Sequence, residues 1–226
     1  MTFSLAARCT RTGRFGIVIS SSSPAVAARC AHVRAGVGAV CTQNITDPRL
    51  GTRLLDMMEH GASAPAAMAK LVAGEALIEY RQLTAVDNEG RTASFSGGRT
   101  LGRYHIVEGE CAVAAGNLLA APEVLEAMIA AFAGAPELDL GDRLIDALCA
   151  VLGAGGEEGP VHSAGLLIAG EVAWPIADLR VDWSDDPIGE LSQAWDIWKP
   201  QMDDYIVRAL NPSGAPGYGV PGDSET

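Results

Sequence analysis

Lysine is almost missing from this chain. Lys70 and Lys199 are the only two in 226 residues. Positive charge is therefore nearly all arginine, which makes planar, bidentate contacts with carboxylates and cannot serve as a base. Aromatic residues amount to 5%, so the core has to be built from Ala, Val, Leu and Ile. No apolar run reaches the roughly 18 residues that a membrane-spanning helix needs. The N-terminus lacks a charged segment followed by a long apolar run, so no secretory signal is expected and the expected location is cytoplasmic. There is no CxxC pair, and the cysteines (Cys9, Cys30, Cys41, Cys111 and Cys149) are odd in number. A zinc cluster and a disulfide framework are both poor readings, and most of these thiols should be small buried residues. His32, His60, His105 and His162 show neither HxH nor HExxH spacing, so no metal site is expected. The phosphate-binding GxxxxGK[ST] and the GxSxG nucleophile elbow are absent as well. No cofactor is expected.

What the chain has in excess is negative charge, small residues and aliphatic ones. A formal net charge of −12 argues against nucleic acid and anionic membrane surfaces as partners, since both need a basic face. Hydrophobic residues make up 48% and charged residues 19%, enough to bury a sizeable core. The length suits one domain, expected over residues 1–210, with a flexible Gly- and Pro-rich tail over 211–226.

Strands are expected at Thr2–Ala7 and Phe15–Ser20, forming a hairpin around Thr10–Gly13, and at Val37–Thr42. A helix starts after Asp47-Pro48, carries Leu50, Leu54, Met57 and Met58 on one side, and stops at Gly61. A second begins at Ser63. Gln82–Val86 and Thr92–Ser96 flank Asp87-Asn88-Glu89-Gly90, a hairpin signal in which Gly90 can take positive φ. Further strands are expected at Cys111–Ala115, Ser163–Ala169, Val172–Ala177 and Leu179–Trp183, the last two broken near Asp178. Helices are expected at Glu123–Phe132, around Leu144–Leu152, and late in the chain through Ile188, Leu191, Trp195 and Trp198. Met202, Tyr205, Ile206 and Leu210 extend that face. Trp195 and Trp198 pack in the core or serve a homodimer interface. Helices arriving in pairs between blocks of strands do not fit a βαβ alternation. They fit an α+β fold, a four-layer αββα sandwich of two antiparallel sheets. There is also an internal echo. Gly36–Asn44 and Gly109–Asn117 are each a small-residue strand ending in Asn ahead of a helix opened by Pro48 or Pro122.

Several stretches together carry a family resemblance. They are Thr2–Arg8, Gly16–Ser21, Arg34–Val40 with Thr42-Gln43, Pro48–Gly51, Ala115–Ala120 and Asp178–Asp182. The chain resembles the bacterial DUF1028 family from Thr2 to about Leu191, a family grouped with the N-terminal-nucleophile (Ntn) hydrolases. The resemblance implies an Ntn-hydrolase-like αββα sandwich and amide hydrolysis, with no particular substrate.

The sharpest chemical candidate is Thr2. Removal of Met1 ahead of a small residue frees a threonine that carries hydroxyl nucleophile and amine base together. The α-amino group titrates near neutrality, so the neutral amine is available at working pH. Asn117 is the candidate oxyanion donor, through its side-chain amide or a neighbouring backbone N–H. Arg34 is the candidate cation that orients an acidic substrate group, in place of the lysine that Ntn hydrolases of the threonine type usually supply. Ser20, Thr42, Gln43, Asn44, Ser163 and Asp178 are candidate substrate-binding residues. The partner expected is a small amide or peptide-like molecule, with a homodimer as the assembly. The alternative is a non-catalytic small-molecule-binding or assembly protein that keeps the fold.

Overall fold

The computed structural model describes residues 2–220; Met1 and residues 221–226 lie outside the described residues. The described residues form ten strands and seven helices: β1 (Thr2–Arg8), β2 (Phe15–Ser21), α1 (Ala27–Cys30), β3 (Ala31–Arg34), β4 (Gly38–Asn44), α2 (Pro48–Glu59), α3 (Ala64–Gly74), β5 (Arg81–Asp87), β6 (Thr92–Ser96), β7 (His105–Gly109), β8 (Ala112–Asn117), α4 (Val124–Gly134), α5 (Leu140–Gly153), β9 (Ser163–Ala169), β10 (Pro175–Val181), α6 (Pro187–Trp198) and α7 (Met202–Leu210). The strands form a six-stranded sheet, β10-β9-β2-β1-β8-β7, and a four-stranded sheet, β3-β4-β5-β6. Neighbours in both sheets run antiparallel.

Side chains alternate across each strand, and the alternation sorts the core into three layers. Phe3, Leu5, Val18, Leu166 and Ile168 leave the outer face of the large sheet and meet Leu125, Met128, Leu144, Leu148 and Leu191 of α4, α5 and α6. Val40, Leu83 and Ala85 leave the outer face of the small sheet and meet Leu50, Leu54 and Leu71 of α2 and α3. The inner faces meet through Ala6, Phe15, Ile17, Ile19, Ala39, Cys41, Val86 and Val113. The result is helix, sheet, sheet, helix, the α+β αββα sandwich.

The helices begin where their caps lie. The Asp47 carboxylate accepts from the Arg49 backbone N–H at the start of α2, and the Ser63 hydroxyl accepts from that of Ala66 at the start of α3. Each satisfies a donor that the first helical turn leaves open. Gly90 takes φ +81° in the β5–β6 turn, the left-handed region that favours glycine.

The chain order repeats. β3-β4-α2-α3-β5-β6 and β7-β8-α4-α5-β9-β10 are the same series of two strands, two helices and two strands. In the small sheet the two strand pairs lie side by side. In the large sheet the N-terminal hairpin β1–β2 is inserted between them. The Gly36–Asn44 and Gly109–Asn117 echo falls on β4 and β8, which are equivalent in this repeat.

Several elements depart from expectation. The short β3, α1 and β7 carry no clear pattern of their own and were not anticipated. β10 runs unbroken through Asp178, with its irregularity between Pro175 and Ala177 instead. Trp195 is buried, donates from Nε1 to Asp142 at 2.8 Å, and lies over Gly141, where a Cβ would come within 2.1 Å of its ring. Trp198 donates to Ile176 O at 3.0 Å. Both rings are therefore used within the chain. Residues 211–220 fold back on α7, with Arg208 donating to Pro216 O and Gly217 O and lying over the Tyr218 ring; the rest of the expected tail is outside the described residues. All five cysteines are free; Cys9, Cys30 and Cys41 are buried.

Candidate active site

The layer between the sheets changes character along its length. Toward the start of β1 its apolar residues give way to Thr2 and Ser4 on β1, Ser21 on β2, Asn117 on β8, and Gln43 and Gln82 on β4 and β5, all buried. A buried amide or hydroxyl without a partner costs about 1–3 kcal/mol, so these groups bond to one another. Ser4 Oγ donates to Gln43 Oε1 at 2.7 Å, and Gln43 Nε2 donates to Gln82 Oε1 at 2.8 Å. Asn117 Nδ2 donates to the same Gln82 oxygen at 3.1 Å. Gln82 Nε2 donates to Ser96 Oγ and Gly116 O, both at 3.0 Å. The chain of amides stitches one sheet to the other. Cys41 sits beside it, fully enclosed; burial pushes its thiol up to about 12, so it is an inert thiol and no nucleophile.

Thr2 is at the open end of this network. It pairs with Asn117 across the β1–β8 ladder, and its Oγ1 lies 3.2 Å from Ser21 Oγ on the other neighbour, β2. Thr2 is itself only 7% exposed. Ser21 Oγ also accepts from the Ser23 backbone N–H at 3.1 Å. The backbone N–H groups just past Asn117 are committed: Leu118 donates to Leu101 O and Leu119 to Arg103 O. Of the donors suggested near Asn117, the side-chain amide is the one that shares the inner face of the sheet with Thr2.

The other sequence candidates divide. Gln43 joins the network. Asn44, at φ +71°, closes β4 by donating to Tyr80 O at 2.7 Å and accepting from Leu101 N at 3.2 Å, so it organises the loop that rims this end. Ser20 points to the other face of β2 and donates to Ser163 O at 2.9 Å. Ser163 Oγ donates to Ser23 O at 2.6 Å and accepts from Val26 N at 3.2 Å, fastening the loop after β2. Thr42 donates to Asp47 O at 3.3 Å on the helix side of β4. Ser20 ties β2 to β9, the other two hold loops, and none of the three joins Thr2. Arg34 stands at the opposite end of the small sheet, where it pairs with Gly38 and binds Glu59 at 2.7 Å and Asp56 at 2.9 Å. Asp178 lies on the edge strand β10, bound to Arg180 at 2.6 Å. Both are surface ion pairs away from the cluster. Neither lysine replaces Arg34, since Lys199 binds Asp142 at 2.6 Å and Lys70 lies outside the sheets on α3.

Gln82 and Glu157 went unrecognised in the sequence, and Ser21 stood out only as one of the polar run Ser20–Ser23 that could line the cleft. β2 is apolar on both faces, so nothing in Phe15–Ser21 says whether Ser20 or Ser21 looks inward. Gln82 opens a hairpin strand like any polar residue at a strand end. Glu157 stands in a Gly- and Glu-rich loop that reads as solvent-exposed, yet it is 6% exposed and bridges Leu119, two residues beyond Asn117. Neither carboxylate oxygen finds a well-formed hydrogen bond among the described residues. Burial pushes the carboxyl up to about 8; the positive charge at the chain's N-terminus and the nearby Ser22 backbone N–H offset only part of that. Among the described residues no group of three or more His, Cys, Asp or Glu is placed to hold a metal ion, and no helix is long and apolar enough to cross a membrane.

No curated protein matches the sequence. A crystal structure from Silicibacter pomeroyi, itself ascribed to DUF1028, superimposes with a TM-score of 0.81 at 29% identity, covering 91% of each chain. Two Anbu (ancestral beta-subunit) structures are looser. The one from Yersinia bercovieri has a TM-score of 0.39 at 10% identity over 90% of this chain and 97% of its own. The one from a Hyphomicrobium strain has 0.37 at 12% over 89% and 96%. The model of a family of unknown function, DUF1028, matches residues 2–191, and the chain belongs to that family.

Proposed function

We propose that this protein hydrolyses a small amide or peptide-like bond with Thr2 as nucleophile once Met1 is removed. The observation that carries the reading is the position of the Thr2 hydroxyl, at the end of a central strand, 3.2 Å from Ser21 Oγ and opposite Asn117. In the reaction the Thr2 oxygen attacks the substrate carbonyl carbon while its proton passes to the Thr2 α-amine. Collapse of the tetrahedral intermediate expels the substrate amine, which takes that proton and leaves an ester on Thr2. Water then hydrolyses the ester and restores the hydroxyl. Asn117 is the donor toward the developing oxyanion; one N–H of its amide is anchored on Gln82, which holds the other in a fixed direction. Arg34 and Asp178 have no part in this scheme, and Ser21 takes the inward position for which Ser20 was a candidate.

Two observations favour a second reading, a non-catalytic member of the fold that binds a small molecule or a second copy of the chain. Thr2 is 7% exposed, and among the described residues no lysine stands beside it. The intact mass of native protein separates the two. Loss of one methionine, followed by turnover of N-acyl or amide compounds that Thr2→Ala abolishes, supports the hydrolase. Retained methionine, or equal turnover by wild type and Thr2→Ala, ends it.

A further inference from the structure

The least explained group in the molecule is the Glu157 carboxylate, and its place is defined from two sides. β1 begins at Thr2, between β8 and β2. Both neighbours run antiparallel to it, so the chain leaving β8 after Asn117 and the chain leaving β2 after Ser21 each continue past the Thr2 end. Glu157 bridges the first of these segments at Leu119 and stands next to the second at the Ser22 backbone N–H. It therefore lies between the two segments that flank the Thr2 end of β1. A freed Thr2 α-amine would leave β1 toward that same end.

Among the described residues the surroundings contain little else to meet the carboxylate. Arg103 and Glu158 on the rim are exposed and bind each other at 2.7 Å. His162 donates its backbone N–H to Ser21 O, but its ring stacks on Trp183, with Asp185 3.5 Å from Nδ1. Thr2, Ser21, Ser22 and Leu119 bring no side-chain charge. A carboxylate buried this deeply without a partner is unfavourable unless a cation or a proton compensates it.

We propose that Glu157 is a positioning residue that receives the α-amine of Thr2 and fixes its orientation beside the Thr2 hydroxyl. The inference rests on the reading of Thr2 as a processed nucleophile. A charge-assisted hydrogen bond from the amine to the carboxylate satisfies the otherwise orphaned oxygens and leaves the amine one rotamer for proton transfer. Two titratable groups in direct contact titrate as a pair, so both should follow the same two apparent pKa values.

The test uses the full chain labelled with ¹⁵N at threonine and ¹³C at the glutamate carboxyl, titrated by NMR. In wild type the Thr2 amine and the Glu157 carboxyl should show matching two-step curves. In Glu157→Gln the amine should titrate in one step, lowered by about one pH unit or more, the shift expected on losing an opposite charge at close range. The wild-type curves test the idea even if the Gln variant folds poorly. A free Thr2 amine that titrates independently of Glu157, or whose pKa is unmoved in Glu157→Gln, overturns the positioning role and leaves the nucleophile standing. Retention of Met1 overturns both.

Discussion

The two ends of the layer between the sheets are built on opposite principles. At one end Ala6, Phe15, Ile17, Ala39, Val86 and Val113 interlock with no polar side chain among them. At the other, Ser4, Gln43, Gln82, Ser96 and Asn117 form a connected set of hydrogen bonds with Thr2 at its open end. The same strands pass through both ends, so the secondary structure does not explain the difference. Apolar contact tolerates small rearrangements, whereas an amide network has one arrangement that satisfies its members. The apolar end holds the sheets together; the polar end holds particular atoms in place.

Substitutions at the two ends should separate stability from chemistry. The largest effect on chemistry is expected from Thr2→Ala, which should reduce kcat/KM for any amide substrate at least about a thousand-fold while changing stability by no more than about 1 kcal/mol. At the apolar end Ile17→Ala should cost about 3–4 kcal/mol in chemical denaturation with turnover per folded molecule unchanged. Gln82→Ala should cost about 2–3 kcal/mol, because Gln43 and Asn117 both lose an acceptor, and it should also slow turnover. If Gln82→Ala leaves turnover intact, the network is scaffolding alone and the contrast between the ends collapses.

Acid sharpens the comparison. Asp87, at the apolar end of β5, is buried, which raises its carboxyl, but hydrogen bonds from the Ala64, Glu89 and Arg91 backbone and from the Arg91 guanidinium outweigh this and hold it low. The Arg49 guanidinium bonded to Asp47 holds that carboxyl down at about 2. A depressed folded-state pKa gives stability that is complete above the unfolded value near 4 and is lost as pH falls through the folded one. Asp87→Asn should therefore cost about 1–2 kcal/mol at neutral pH and progressively less as the pH falls below about 4, followed by thermal melts. The smallest effect is expected at the exposed Asp178–Arg180 pair. Asp178→Asn should shift stability by less than about 0.5 kcal/mol and leave turnover unchanged.

Much of the architecture was legible in the residues. Capping at Asp47-Pro48 and Ser63, the Asp87–Gly90 turn and the aliphatic period of the helices located most elements, and the pairing of helices between strand blocks pointed to two sheets with helices outside. The site was less legible, for a definite reason. In a sandwich both faces of a central strand are buried, so the period-two pattern that reveals inward and outward positions vanishes. Ser20 and Ser21 cannot be told apart without the sheets. Arg34 drew attention as the best available cation near the first three strands, but β3 carries it to the end remote from Thr2. Glu157 was hidden by composition, because a loop rich in Gly and Glu reads as solvated.

The inserted hairpin has a consequence for timing. Ladder partners of Thr2 and Phe3 on β8 are Asn117 and Gly116, and β2 is completed by β9 from Ser163 onward. At a synthesis rate of about 5–20 residues per second, several seconds pass before the ribosome delivers even the first of these strands. Through that interval β1 has only β2 beside it, and a two-stranded hairpin alone is marginally stable in water. The removal of Met1 that the proposed chemistry requires would then have to precede the docking of the last central strands.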